Sequence, residues 1–216
     1  SSETTLDSPG LQQVIQALDN FDYAKVDREL TKLVVMLSPR DMVKEVVVPL
    51  MQKVGNGWAE GKISISQEHM ISTIMRNVLG TMIRLYSRPQ TGNKLLFATP
   101  SGEHHEFGIL SAATLAASGG LGVVYLGVNL PASEIVGATS HLSISALVLG
   151  IVSTSGFKES YKCLEEISSK LPPTTELWVG GAKTEEMVRE ISKTRAMYMT
   201  DFTILEQHLM RLGANF

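Results

Sequence analysis

The sequence has little cysteine, little net charge and no long apolar run, and each absence excludes a class of protein. Cys163 is the only cysteine, which excludes an internal disulfide, a thiolate zinc cluster and a Cys-x-x-Cys redox pair. With 19 basic against 22 acidic residues, there is no general basic surface for nucleic acid or an anionic membrane. No apolar run reaches the roughly 18 residues of a membrane span, and the N-terminal residues lack the pattern of a signal peptide. We therefore expect a cytoplasmic protein that does not contact a membrane.

The first 87 residues carry helical periodicity. A chain of 216 residues with 44% hydrophobic composition can bury a core without disulfides or structural metals. Ser8-Pro9 and Ser38-Pro39 each place an N-cap residue before a proline at the first helical position. Apolar residues recur at helical spacing in four segments, with a break at Gly55-Asn56-Gly57 and Gly61: 11–18, 26–37, 42–54 and 64–86. This pattern predicts a four-helix bundle over 1–87.

Beyond a polar linker over 88–93, strand and helix signals alternate. Five short apolar runs predict strands at 94–99, 122–126, 146–151, 176–179 and 196–199. Helical patterns accompany them at 105–118, 132–142, 157–170, 183–192 and 201–212. The alternation predicts a doubly wound, five-stranded parallel sheet over 94–216, an α/β fold of the Rossmann or flavodoxin-like kind.

The loop after the first strand is where such a sheet would place a ligand. It contains two adjacent histidines, His104 and His105, flanked by Glu103 and Glu106. One interpretation is a polar turn with solvated histidines. A zinc site is a weaker alternative, because consecutive residues seldom face one metal.

The pattern Glu103-x-His105-x-x-Gly108 resembles the D-x-H-x-x-G signature of cobalamin-binding domains, with Glu in place of Asp. In that family the histidine binds cobalt from below and displaces the cofactor's own dimethylbenzimidazole, whose nucleotide tail enters a slot along the sheet. The resemblance implies that His105 is the lower axial ligand of cobalt. It also implies that Glu103 fixes its tautomer and that Gly108 lets the backbone pass close to the tail.

Two longer stretches resemble the cobalamin module of light-responsive regulators of the CarH type. They are 97–108 with the following 123–131, and the bundle segment 57–69. In those proteins the bundle segment lies over the upper face of the corrin, which implies that Trp58 shields the upper ligand with Glu68 and His69 nearby. Without the resemblance, Trp58 is typical of a core aromatic, and the Glu68-His69 pair is typical of a helix surface.

The resemblance extends to the nucleotide tail. It implies that Gly180 and Gly181 let the backbone approach the tail, although a tight turn also explains a glycine pair. The family's serine on the third strand aligns with Gly150, so the hydrogen-bond chain from His105 either stops at Glu103 or is completed by a later hydroxyl. The full set of cofactor contacts implied is Trp58, Glu68, His69, Gly102, Glu103, His105, Gly108, Val152, Ser153, Thr154, Gly180 and Gly181.

The resemblance implies a cobalamin-binding sensory domain, in which light breaks a cobalt–carbon bond and changes oligomeric state or partner binding. Adenosylcobalamin is the expected cofactor, methylcobalamin the next, and the oligomer a homodimer or homotetramer. The chain does not begin with Met, and we expect DNA binding only through a domain absent from it. Ala59 stands where light-responsive members commonly carry a histidine, so the resemblance does not say which ligand takes the upper cobalt position after illumination. The small side chain also leaves room above the corrin for a bilin as second chromophore. A thioether link between a bilin and Cys163 is not expected.

Three other interpretations compete. A corrinoid methyl carrier of a methyltransferase system has the same domain order, but its loop tends to read D-x-H-x-I-G-K, whereas this chain has Phe107 and no lysine after Gly108. A response-regulator-like domain would need an acidic cluster at strand ends, and a flavodoxin-like domain would need a phosphate loop echoed only faintly by 99–102. We predict no enzymatic activity of the chain itself, and the methyl carrier is the enzyme-class alternative.

Overall fold

A computed structural model describes residues 9–88, 90, 92–182 and 184–216. The chain divides into two compact units, a helical unit that ends at Leu85 and an α/β unit that begins at Tyr86. Three sequence predictions fall partly outside the described residues: the N-cap at Ser8, the linker positions Pro89 and Thr91, and the helix start at Lys183. Among the described residues no helix is long and apolar enough to cross a membrane.

The helical unit contains the four helical rods that the periodicity predicts. The first two are α1 (Pro9–Asp19) and α2 (Tyr23–Met36), which pack against each other. The third rod is continuous through α3 (Pro39–Asp41), a π-helical segment (Met42–Val47) and α4 (Val48–Ala59), and the fourth is α5 (Ile65–Tyr86). The predicted cap at Ser38 is present, because its hydroxyl accepts the Asp41 N–H at 3.1 Å.

The predicted helix break is confirmed at Gly61 and is wrong at 55–57. Helix α4 continues to Ala59, and the chain turns only at Gly61, where φ is +70°. Gly57 serves packing: a Cβ at this position would lie 2.8 Å from Cδ1 of Ile63, which folds back onto the helix. Trp58 therefore stands in the last turn of α4 and not in a loop.

The α/β unit contains the predicted five-stranded parallel sheet. Its strands are β1 (Lys94–Pro100), β2 (Gly122–Leu130), β3 (Ala146–Gly150), β4 (Glu176–Gly180) and β5 (Met197–Met199), in the order β2-β1-β3-β4-β5. Its helices are α6 (Phe107–Ser118), α7 (Ala132–Leu142), α8 (Phe157–Lys170), α9 (Glu185–Ile191) and α10 (Phe202–Arg211). The chain leaves β1 for β2 on one side and later adds β3 on the other, so the topological switch point lies between β1 and β3.

Alternate strand residues face opposite layers of helices, as the two-residue period of a strand requires. One set, including Leu96, Leu149 and Val179, packs in a single buried cluster with α7, α8 and α9 residues. On the other face lie α6 and α10, where the buried Trp178 ring stands 5.3 Å from the His208 ring. Burial on both faces explains why the strands read as continuous apolar runs.

The predicted linker is partly tied to the sheet. The Ser87 hydroxyl accepts the Val123 N–H at 2.9 Å, and the Arg88 N–H donates to the Leu121 carbonyl at 3.2 Å. Both residues belong to the α/β unit, so the described part of 88–93 does not behave as a free spacer.

The close approach of the loops after β1 and β3 gives a stability prediction. A Cβ at Gly156 would lie 2.2 Å from the Gly102 carbonyl oxygen, so we expect Gly156→Ala to lower the free energy of unfolding by about 1–3 kcal/mol. Gly137 lies within α7 with open space around its Cα, so Gly137→Ala should raise it by about 0.5–1 kcal/mol. Urea unfolding followed by Trp178 fluorescence in a Trp58→Phe background measures both, and equal stability of the two variants would contradict the packing argument.

Candidate cofactor-binding site

The site residues of the α/β unit gather at the carboxyl ends of β1 and β3. Glu103 and His105 lie in the loop between β1 and α6, and Val152 and Ser153 lie in the loop between β3 and α8. In a parallel sheet both loops emerge at the same edge, on either side of the switch point. The sequence order alone separates these pairs by about fifty residues, and the sheet brings them into hydrogen-bonding contact.

The Glu103 carboxylate is the centre of this contact and has no exposed surface. Its Oε1 accepts the backbone N–H of His105 at 2.8 Å and lies 2.6 Å from Nδ1 of the same residue. Its Oε2 accepts the backbone N–H groups of Val152 and Ser153, each at 2.6 Å. A buried carboxylate is tolerated only when it is fully hydrogen-bonded, and here each oxygen faces two donors.

These donors keep the Glu103 carboxyl ionised. Burial alone raises the pKa of Glu103, but the backbone N–H groups of Ser153, His105 and Val152 and the His105 side chain together outweigh burial and lower the pKa. The carboxylate is therefore an acceptor at both oxygens, and the His105 Nδ1 must act as the donor in their contact.

This contact orients the His105 ring. Because Nδ1 carries the hydrogen, the lone pair of a neutral ring lies on Nε2. The His105 side chain is 59% exposed while its partner is completely buried, so the ring projects from a fixed anchor. An exposed imidazole with a set tautomer and a carboxylate behind it has the form of a metal ligand.

The third-strand loop supports Glu103 through its backbone and not through a hydroxyl. The sequence left open whether a later hydroxyl completes the chain from His105. The Ser153 hydroxyl accepts the Gly156 N–H at 3.1 Å and lies 3.1 Å from the Ser155 hydroxyl, whereas Thr154 is exposed. The chain from His105 therefore ends on the two amides at Val152 and Ser153.

A second support comes from β2 and was missed by the sequence analysis. The Asn129 side-chain Oδ1 accepts the Gly102 N–H at 2.9 Å, and the Asn129 N–H donates to the Thr99 hydroxyl at 2.9 Å. That hydroxyl donates to the Glu103 carbonyl at 2.6 Å. The available signal was an asparagine at the end of a strand, a residue type that tolerates positive φ.

The glycines of the predicted site differ in what the structure requires of them. A Cβ at Gly108 would meet nothing within 4 Å, which leaves open space beside the first turn of α6. Gly102 has φ +84°, and Gly181 has φ +96° with its virtual Cβ 2.8 Å from Val152, so both are required by the backbone itself. Gly180 ends β4 and pairs with Gly150. For Gly181 the tight-turn interpretation is sufficient.

In the helical unit, Trp58 is 55% exposed at the end of α4. Glu68 and His69 lie in the first turns of α5, with the His69 Nδ1 3.1 Å from one Glu68 oxygen. The other oxygen accepts the Ser72 hydroxyl at 2.5 Å. Trp58 is therefore not the core aromatic that its residue type alone suggests, and the Glu68-His69 pair lies on the helix surface.

Other candidates receive no support. Among the described residues no group of three or more His, Cys, Asp and Glu side chains could hold a metal ion, so the zinc interpretation of the loop is not favoured. The Cys163 thiol is buried in α8, and this burial raises its pKa, which makes it a poor nucleophile for a covalent chromophore link.

Comparison with known proteins finds similarity to proteins that bind B12 and to two transcriptional repressors. Residues 11–82 match a family model described as a B12 binding domain. The chain is 28% identical over 171 residues to the HTH-type transcriptional repressor CarH of Myxococcus xanthus. The aligned stretch covers 79% of this chain and 57% of the relative. It is 27% identical over 152 residues to the repressor CarA of the same organism, covering 70% and 51%. The chain thus spans about half the length of these curated relatives.

The fold has a solved counterpart. The monomethylamine corrinoid protein of Methanosarcina barkeri superposes with a TM-score of 0.71 at 17% identity, covering 94% of this chain and 98% of that one. At this identity the likeness concerns the fold alone. Together with the family match, these comparisons confirm the resemblance to B12-binding proteins and to CarH-type repressors.

The donor arrangement around Glu103 gives a second prediction. Each carboxylate oxygen faces two donors, so the amide NH₂ of Glu103→Gln must point at donors whichever way it turns. We expect this isosteric change to lower the free energy of unfolding of the cofactor-free chain by about 3 kcal/mol. Glu106→Gln is the control, because Gln keeps an acceptor for the Tyr125 hydroxyl at 3.0 Å. A Glu103→Gln variant as stable as the control in urea unfolding would show that the charge is not required.

Proposed function

We propose that this chain is a cobalamin-binding sensory domain in which His105 supplies the lower axial ligand of cobalt. The carrying observation is the exposed His105 ring held at Nδ1 by the buried Glu103 carboxylate. The B12 binding domain match over 11–82 and the CarH and CarA relatives support the same cofactor class.

The residues present fit this cofactor. A corrinoid needs one neutral nitrogen donor from below, and Nε2 of His105 is the atom that the hydrogen bond at Nδ1 leaves with a lone pair. The open space at Gly108 suits the nucleotide tail beside α6. We assign Gly102, Val152, Ser153 and Thr154 and the glycine pair at 180–181 to the walls of the tail slot.

When bound, an alkylcobalamin supplies a cobalt–carbon bond that visible light can break. We assign the upper side to Trp58, with Glu68 and His69. An exposed indole can exclude water from a neighbouring apolar group. Ala59 beside it offers no imidazole, so the light response of this chain would not include capture of the upper position by that residue.

We propose a regulatory role, because two of the relatives are transcriptional repressors. We propose adenosylcobalamin as the cofactor on the resemblance of the sequence to light-responsive regulators. The chain covers only about half of their length, so DNA binding would come from sequence outside it. A cofactor can shift an arrangement only by its differential affinity for two states, so the dark and illuminated forms must differ in how the units or copies associate.

The two adjacent histidines of the loop provide a variant and its matched control, because only His105 is assigned as the lower axial ligand of cobalt. His105→Ala should weaken cobalamin binding at least about 10-fold, as expected when a metal ligand is lost. His104→Ala should stay within about twofold, because its exposed ring makes no hydrogen bond to the described residues of the site. Titration of the visible spectrum measures both affinities.

Isotope labelling identifies the nitrogen directly. With ¹⁵N-histidine in the protein, the EPR spectrum of bound cob(II)alamin should show the doublet splitting of an axial ¹⁵N, and His105→Ala should abolish it. A triplet from unlabelled nitrogen in the unmodified chain would mean that dimethylbenzimidazole stays bound and would contradict the assignment. Equal losses in the two histidine variants would do the same.

The light response is tested by molecular size. We expect the chain loaded with adenosylcobalamin in the dark to change its elution volume in size-exclusion chromatography after green illumination, while a hydroxocobalamin-loaded sample does not. An unchanged volume after complete spectral conversion would contradict the proposed change in association. Methyl transfer from methylcobalamin on this chain to a thiol, with a partner methyltransferase, would instead favour the methyl carrier.

A further inference from the structure

We propose that Asn129 is a positioning residue that holds the His105 loop in its ligand geometry before any cofactor arrives. This inference rests on the proposed function, since it concerns the same site. Asn129 lies on β2, outside the motif that contains His105, and its side chain reaches Gly102 at the start of the loop.

The hydrogen bonds of Asn129 and Thr99 form a connected network with the start of the loop. Asn129 uses its side-chain oxygen on the Gly102 N–H and its own N–H on the Thr99 hydroxyl. The Thr99 hydroxyl in turn donates a hydrogen bond to the Glu103 carbonyl at 2.6 Å, and Thr99 is completely buried. Asn129 therefore holds the residue before Glu103 directly and holds Glu103 itself through one hydroxyl.

The irregular end of β2 explains how Asn129 reaches the loop. Ala98 pairs with Gly127 and Pro100 pairs with Leu130, so β2 carries an extra residue in this stretch, after another extra residue beyond Tyr125. Such bulges redirect a side chain at the end of a strand. Gly127 and Asn129 both have positive φ, at +95° and +58°.

The other end of the loop also contacts β2. The Tyr125 hydroxyl donates to Glu106 at 3.0 Å, next to the start of α6. The loop is thus held at both ends by β2 and in its middle by the amides of the β3 loop. Rigid attachment on two sides reduces the conformational entropy that cofactor binding would otherwise have to remove.

A glycine–aspartate pair of variants separates the hydrogen bond from backbone strain. Asn129→Gly accepts the positive φ but loses the side-chain acceptor, whereas Asn129→Asp keeps an acceptor oxygen. We expect Asn129→Gly to weaken cobalamin binding about 3- to 10-fold, the net worth of one hydrogen bond. Asn129→Asp should remain within about twofold of the unmodified chain. Asn215→Gly, at an exposed asparagine near the chain end, is the control for a general glycine effect.

Two readouts distinguish positioning from a general loss of stability. In the cofactor-free chain, the Gly102 amide should exchange with D₂O about 3- to 10-fold faster in Asn129→Gly and at the unmodified rate in Asn129→Asp. In the loaded chain, Asn129→Gly should lower the share of cobalt that shows the ¹⁵N-histidine doublet. Unchanged exchange at Gly102, or equal weakening by the glycine and aspartate variants, would overturn the proposal.

Failure of cobalamin binding and failure of the positioning role give different results. If the unmodified chain takes up no cobalamin, the proposed function fails, and the exchange rate of Gly102 still tests whether Asn129 orders the loop. If the chain binds cobalamin through His105 and Asn129→Gly binds with unmodified affinity and doublet intensity, only the positioning role is overturned.

Discussion

The buried Glu103 carboxylate is the constraint on which the candidate site depends. Four N–H groups converge on its two oxygens, and three of them belong to the backbone. Removing an ionised group from water is costly, so the position is tolerable only while every donor is in place. The same requirement fixes the distance between the β1 and β3 loops and sets the direction of the His105 ring. Tautomer, loop geometry and sheet topology are thereby joined in one interaction.

Much of this arrangement was predictable from the sequence, because it follows from periodicity and local motif. The strand and helix positions of the α/β unit follow the apolar runs and helical stripes, except that β2 continues to Leu130, beyond the predicted 122–126. The pairing of Glu103 with His105 lies within three residues. The contacts with Val152, Ser153 and Asn129 depend on which strands become neighbours, and backbone amides carry no sequence signal. The continuation of α4 through Gly57 was not predictable either, since glycine breaks or permits a helix according to what packs on it.

The glutamate at position 103 and the glycine at position 150 can be understood together. The cobalamin-binding domains that this chain resembles have an aspartate in the loop and often a serine on the third strand, at the position of Gly150. In this chain a Cβ at Gly150 would already lie 3.3 Å from the Ile109 Cβ, so a serine side chain would be crowded. An aspartate would hold its carboxylate one C–C bond, about 1.5 Å, closer to its own backbone. The 2.6 Å contacts with Val152 and Ser153 would then stretch to about 4 Å, beyond hydrogen-bonding distance. The length of the glutamate side chain thus brings its carboxylate to the two backbone amides beyond β3, and His105 has a fully bonded carboxylate behind it.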